Sequence, residues 1–306
     1  VAAVDGTDTP ALVVGWDGTE CGKDAVTLGL RLAAATGDRI VIATVYPGEY
    51  PIGPGRVDAE WRAEVHRRAV EVSQQAAALV ADTGLAAETH TIPAHSAARG
   101  LHELAESLAA EMIVVGSTAR GALSGTMPGS TGERLLYGSS CPVVVAPRGA
   151  AERTGTPLGS VACAYVDTTD GHLALRAATG LAQRAGAALR LVTVAASTAE
   201  IVPWILGRDA DTAYVEHVRE TSLAALERAV AGLPEGLRAT TDVLVGDVVE
   251  TLAELSEPEI DLLVCGSRSY GPLRQVLLGG VSGRLVRRAR VPVMVVPRST
   301  EVVPGG

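Results

Sequence analysis

The chain has 306 residues, 47% of them hydrophobic, and carries 35 acidic against 26 basic side chains for a formal charge of −9. That apolar content suffices for two cores of roughly 150 residues each, and the acidic balance argues against a broad electrostatic footprint on nucleic acid. No apolar run approaches the roughly eighteen residues that span a bilayer; the first residues, Val1 to Pro10, also lack the charged, apolar, small-residue order of a secretory signal, so the expected location is the cytoplasm, off the membrane.

An apolar strand over 11–15 ends in Trp16-Asp17-Gly18-Thr19, where Thr19 can cap a helix whose face is Ala25, Leu28 and Leu32 and whose stop is Gly37. Residues 40–45 form a second, fully apolar strand, and 46–56, rich in Pro and Gly, read as a loop. Asp58 caps a long helix with Val65, Ala69, Val72, Ala76 and Leu79 at helical spacing, closed by Gly84. The strand over 88–92 is more polar and belongs near an edge; Ala97, Leu101, Leu104 and Leu108 then give a third helix its apolar face. A strand over 112–115 stops at a glycine, a glycine-containing loop leads to a short helix opened by Gly129-Ser130, and a proline introduces the fifth strand, 142–145.

This last stretch occurs twice. Adding 150 to each position of 113–148 brings 263–298 into register without a gap, with about a third of the positions identical. Gly116, Ser117, Gly121, Gly129, Arg134, Pro142 and Pro147 recur as Gly266, Ser267, Gly271, Gly279, Arg284, Pro292 and Pro297. The rest of the second copy follows in order: a strand over 161–166 leading to Asp167, a helix through Ala174 and Leu181 to Gly186, strand 189–194, a long helix over 211–231, strand 244–246, helix 249–255 and strand 262–265. The domains are therefore 1–150 and 151–306, joined by a small, polar linker over 149–159. Alternating strands and helices predict an α/β fold, a parallel, doubly wound sheet in each half. Both fifth strands are apolar on both faces, and an unpaired edge of that kind invites aggregation; the expectation is that they pair with each other in an intrachain pseudo-dimer.

In such sheets ligands sit beyond the carboxyl ends of the strands, where Asp17, Gly116 and Gly129-Ser130 would meet. Unpaired amides at a helix start can hold a phosphate, although the same glycines could equally serve only turns. The turn after the first strand is neither G-x-G-x-x-G nor a P-loop, since Asp17 stands at the latter's first glycine and Asp24 follows Lys23. Cys21, Cys141, Cys163 and Cys265 lack C-x-x-C spacing and read as buried free thiols; His90, His95 and His102 fall on a strand, a loop and a helix, without ligand spacing. No Ser/His/Asp arrangement is visible, so binding rather than turnover is expected, and Trp61 and Trp204 read as packing residues.

The segments Asp17-Gly18-Thr19, Val114-Val115-Gly116-Ser117 and Cys141 to Val145 resemble the universal stress protein family, in its tandem two-domain form. The resemblance implies two flavodoxin-like domains, related to the adenine nucleotide alpha hydrolases, with strand order 3-2-1-4-5. It also implies an adenine nucleotide, ATP with Mg²⁺ on its phosphates, that biases dimerisation or contacts with a protein partner; the rival is a stress-associated scaffold that binds none. Carried over by motif, it nominates Gly15, Asp17, Val45, Gly116, Ser117, Gly121, Gly129 and Ser130 in the first copy, and Asp167, Val194, Gly266, Ser267, Gly271, Gly279 and Ser282 in the second. Ala119 replaces the second glycine of the family's motif, whereas the second copy has Ser269 there, Gly280 in place of the hydroxyl and Thr168 in place of the strand-one glycine. The first copy is thus expected to bind better.

Overall fold

A computed structural model describes residues 9–48, 59–81, 83–118, 127–128, 130–153, 155–195, 203–255, 259–267 and 280–298, with backbone alone at 59, 118, 127, 128, 130 and 203–215. The chain divides into two compact units, Val1–Pro157 and Leu158–Gly306. In the first, β1 (Ala11–Gly15), α1 (Glu20–Thr36), β2 (Arg39–Pro47), α2 (Ala59–Ala81), β3 (Ala87–Ala94), α3 (Ala97–Ser107) and β4 (Met112–Thr118) are followed by β5 (Met127–Pro128), α4 (Ser130–Gly138) and β6 (Val143–Ala146). The main strands run parallel in the order β3-β2-β1-β4-β6, and the two-residue β5 pairs antiparallel with the end of β4.

Helices cover both faces, and alternation along β1 shows it. Val14 meets the backbone of α1 at Gly29, whereas a side chain at the next residue, Gly15, would face Leu101 of α3. Val13, Val14, Ile113, Val114 and Val144 are accordingly without solvent contact, as strands buried on both faces require. The helix limits are those the sequence dictates: Thr19 Oγ1 accepts from the Gly22 amide at 3.2 Å, and Gly37 leaves the helix at φ 77°. Ser96 caps α3 in the same way, accepting from the Arg99 amide at 3.3 Å.

The second unit repeats the plan with β7 (Ser160–Ala164), α5 (Thr169–Ala185), β8 (Ala188–Ala195), α6 (Pro203–Ala231), β9 (Ala239–Val245), α7 (Val248–Ala253), β10 (Leu262–Gly266), α8 (Val281–Arg288) and β11 (Val293–Val296). Its strand order is β9-β8-β7-β10-β11, again 3-2-1-4-5 within the unit. Thr168 caps α5 through the Gly171 amide, and Gly186 ends it at φ 63°.

Four segments differ from the sequence expectation. β9 begins at Ala239 rather than at residue 244, because its first half, Ala239 to Asp242, is polar and lies on an edge strand where apolarity is not needed. α6 begins at Pro203, with proline at the first helical position where its missing N–H costs nothing. β7 stops at Ala164, leaving Val166 46% exposed. The expected linker is ordered over much of its length: Ala150–Arg153 form a 3₁₀ turn, and the buried Asp24 of α1 accepts from the amides of Gly149 and Ala151 at 3.2 and 2.8 Å. Burial pushes the Asp24 carboxyl above its ordinary value, against the pull of those two amides. Arg31 of the same helix donates to the carbonyls of Thr156 and Pro157 at 2.9 and 3.4 Å, so the division between units falls after these residues.

All four cysteines are free thiols, but only Cys163 and Cys265, on the neighbouring strands β7 and β10, are buried; Cys21 and Cys141 are half-buried. Burial pushes the Cys265 thiol up to about 12 and the Cys163 thiol further.

Candidate functional site

In the first unit the parallel register brings the carboxyl ends of β1, β2 and β4 together. Gly15 pairs with Ala43 of β2, Val14 pairs with Val114 of β4, and the chain beyond each carries Val45, Gly116 and Ser117 to one edge. Asp17 follows directly, above the first turn of α1. Its Oδ1 accepts from both the amide and the hydroxyl of Thr19, at 3.1 and 2.6 Å, while Oδ2 has no partner among the described residues. The residue is exposed, so one carboxylate oxygen faces outward with its lone pairs uncommitted.

Gly116 serves an immediate structural need. A Cβ there would lie 2.6 Å from the carbonyl carbon of Cys21, in the first turn of α1, and closer still to its oxygen. The glycine lets α1 cross the end of β4 at backbone distance. Gly266 repeats the relation, with the Asp170 carbonyl oxygen of α5 at 2.7 Å from the same hypothetical atom. Ser117, one residue on, has no solvent exposure, and its Oγ finds no hydrogen-bond partner among the described residues. An unpaired buried hydroxyl is costly, on the order of 1–3 kcal/mol, and calls for a ligand, a water or a nearby group. β5 pairs alongside, with Pro128 opposite Ser117.

At the ends of β2 and β3 lies a hollow of about 190 Å³, walled by Val45 to Gly48 on one side and Ala94 to Ala97 on the other. Its volume is below the roughly 300 Å³ at which whole-ligand pockets begin, so it suits one end of a ligand rather than all of it. Ser130 opens α4, as expected for the second half of the phosphate loop, but its side chain, Ala119, Gly121 and Gly129 lie outside the described residues.

The second unit places its counterparts differently. Asp167 is engaged on both oxygens: the His172 Nε2 lies 2.9 Å from Oδ1, and Arg228 Nη2 donates to Oδ2 at 2.9 Å. The Arg228 hydrogen bond, followed by that of His172, holds this carboxyl below its ordinary value. Val194 lies within β8, paired with Leu244 of β9. Ser267 and Ser282 are both buried, and Gly280 at the start of α8 provides no side-chain cap. Gly271, Ser269 and Gly279 lie outside the described residues. Arg228 and His172 carried no signal in the sequence, since the arginine acts from 61 positions away on another helix.

Among the described residues no group of three His, Cys, Asp or Glu side chains could hold a metal ion. His90 approaches Glu88 and His102 approaches Glu106, each as a surface pair on its own element. No helix among the described residues is long and apolar enough to cross a membrane.

The Universal stress protein family model matches the chain twice, over residues 10–147 and 159–297. This chain belongs to the universal stress protein family. A universal stress protein of Mycobacterium tuberculosis is 28% identical over 291 residues, spanning 94% of this chain and 99% of that protein. One from Mycolicibacterium smegmatis is 31% identical over 261 residues, 81% of this chain and 82% of its own length. Among solved structures, a universal stress protein from Archaeoglobus fulgidus superposes with a TM-score of 0.70 at 20% identity, covering 95% of this chain and 99% of that one. At that identity the likeness speaks for the fold, and the universal stress protein fold is the one the two units adopt.

Proposed function

We propose that this universal stress protein acts by binding an adenine nucleotide in the crevice of its first unit, and that occupancy regulates contacts with a protein partner rather than leading to turnover. The observation that carries the reading is Ser117: a hydroxyl with no solvent exposure and no partner among the described residues, at the strand end where the family motif begins. In this reading the hollow beside Val45 takes the base, the free oxygen of Asp17 takes a ribose hydroxyl, and the amides around Ser117 and Ser130 take the phosphates. A magnesium ion fits such a site only as a companion of the phosphates, which supply oxygen ligands while water fills the remainder. The second unit binds more weakly, because Arg228 and His172 already satisfy Asp167. The reading places the protein in the cytoplasm, where ATP and Mg²⁺ are abundant.

A second reading, an interaction scaffold without nucleotide, is favoured by Gly116 and Gly266, whose lack of a side chain is fully explained by the crossing of α1 and α5. Calorimetry with MgATP separates the two. The nucleotide reading expects one site per chain, weakened at least about tenfold by Ser117→Ala or Asp17→Asn and unchanged by Asp167→Asn, with tenfold corresponding to about 1.4 kcal/mol. Absence of heat, together with no ATP or ADP in the mass spectrum of the denatured protein, would leave the scaffold.

A further inference from the structure

Between α5 and α6 the second unit contains a cleft of about 510 Å³. None of the described residues of β10 or α8 lines it. Its volume falls inside the roughly 300–1,000 Å³ typical of small-molecule sites. Trp16, buried at the end of β1, sends its indole across to α2, where Nε1 donates to the Val72 carbonyl at 2.6 Å. In the second unit the residue at the same place in the backbone pairing is Tyr165, whose amide donates to the Val192 carbonyl as that of Trp16 donates to Ala43, and its ring lines the cleft.

The cleft has a charged end and an apolar body. At the charged end Tyr165 is buried with its ring edge-on to His172, centroids 5.7 Å apart, and His172 and Arg228 converge on Asp167. Arg228 uses one nitrogen of its guanidinium on Asp167, which leaves most of its five donors available. Arg176 also lines the cleft, and no described residue pairs with it. Two guanidinium groups therefore oppose a single carboxylate. The body is formed by Leu175, Leu233 and Pro234, with Gly180 leaving room along α5. Thr179, nine-tenths buried in the same lining, has a hydroxyl without a partner among the described residues.

We infer that this cleft is a second ligand site, separate from the nucleotide crevice, for a small organic acid: a carboxylate held by Arg228 and Arg176, carried on a flat or branched apolar body that lies over Leu175, Leu233 and Pro234. A free anion without such a body would leave the apolar walls uncovered. A neutral hydrocarbon would leave Arg176 without an anionic partner and the remaining donors of Arg228 unused.

The test uses the full chain labelled with ¹⁵N and titrated with 1-naphthoate, then with the neutral 1-naphthamide. The expected result is saturable naphthoate binding whose amide shifts cluster at 172–183 and 228–234, with the amide at least about tenfold weaker. Arg228→Gln and Arg176→Gln should each weaken naphthoate several-fold. Gly180→Leu supplies the decisive variant, because a Cβ at Gly180 meets nothing within 4 Å, so the protein should fold normally while the added side chain fills the cleft. Saturating MgATP should not displace the naphthoate. Equal affinity for acid and amide, shifts centred elsewhere, undiminished binding in Gly180→Leu, displacement by MgATP, or no saturable shift would each overturn the assignment. Failure here leaves the nucleotide reading untouched, because that is read from MgATP binding at Ser117 and Asp17.

Discussion

Replacing Gly116 by alanine tests whether α1 truly rests on the end of β4. The added methyl would sit 2.6 Å from the Cys21 carbonyl carbon and nearer to the oxygen, and 3.2 Å from the Cys21 Cα. These atoms are helix backbone, which cannot rotate away as a side chain can. Overpacking typically costs about 1–3 kcal/mol, and a rigid neighbour on this scale places Gly116→Ala at the upper end. With urea m-values of roughly 1–3 kcal/mol per molar, the transition of the first unit should move down by about 1 M or more. Fluorescence of the buried Trp16 reports that unit. Two controls calibrate the series. Gly15→Ala meets only the tip of Leu101 at 3.1 Å, which can yield, so its cost should stay below about 1 kcal/mol. Gly180→Ala enters open space in the interior of α5 and should stabilise the second unit by roughly 0.5–1 kcal/mol. A Gly116→Ala midpoint within about 0.2 M of the parent would refute the close crossing, and with it the claim that this glycine is required by packing before any ligand arrives.

Two further outcomes follow from single side chains. Asp167 is held below its ordinary value by Arg228 and then His172, so its contribution to the second unit is present above the unfolded-state value of 3.8 and is lost as pH falls through the lowered native one. Asp167→Asn should therefore destabilise at pH 7 and match the parent in strongly acidic solution, as read by urea midpoints at both pH values; a gap that persists in acid would contradict the assignment. Arg31→Ala removes the donor to the Thr156 and Pro157 carbonyls. Hydrogen bonds to charged groups contribute about 1.5–3 kcal/mol, so native-state proteolysis within 149–159 should accelerate roughly tenfold or more. Unchanged cleavage would show that this segment is held by something else.

Local signals read correctly wherever one residue type answers one geometric demand. The cap at Thr19, the stops at Gly37 and Gly186 and the polar edge strand β3 were all legible, as was the duplication, whereas the strand order came from the family resemblance and the cap at Thr168 was not read. Apolar patterning failed where burial is not the driving force. β9 starts among polar residues because an edge strand needs hydrogen bonds on one side only, and α6 extends upstream to Pro203 without an apolar face to announce it. Contacts distant in sequence were invisible. Asp24 holds the amides of Gly149 and Ala151 across more than 120 positions, and no spacing rule connects Arg228 with Asp167. The candidate site was thus readable as a list of positions, whereas the state of each carboxylate was not.

The two carboxylates also stand one residue apart in the folded register, Asp17 two residues before its helix cap Thr19 and Asp167 one residue before Thr168. In the first unit Trp16 fastens α2 to the end of β1, so Asp17 is not needed for that purpose; it turns one oxygen to its own helix cap and leaves the other outward. In the second unit Asp167 reaches α6 through Arg228 and the first turns of α5 through His172. A nucleotide hydroxyl arriving at Asp167 would have to compete with a guanidinium already in place, whereas at Asp17 it meets an unpaired oxygen. The substitution that decides the matter is at residue 16 rather than at either aspartate. Trp16→Val removes the indole donor to the Val72 carbonyl, opens the space beside α2 and leaves the Asp17-to-Thr19 cap intact; if the fastening argument holds, it loosens α2 without altering the carboxylate that the ligand reading requires.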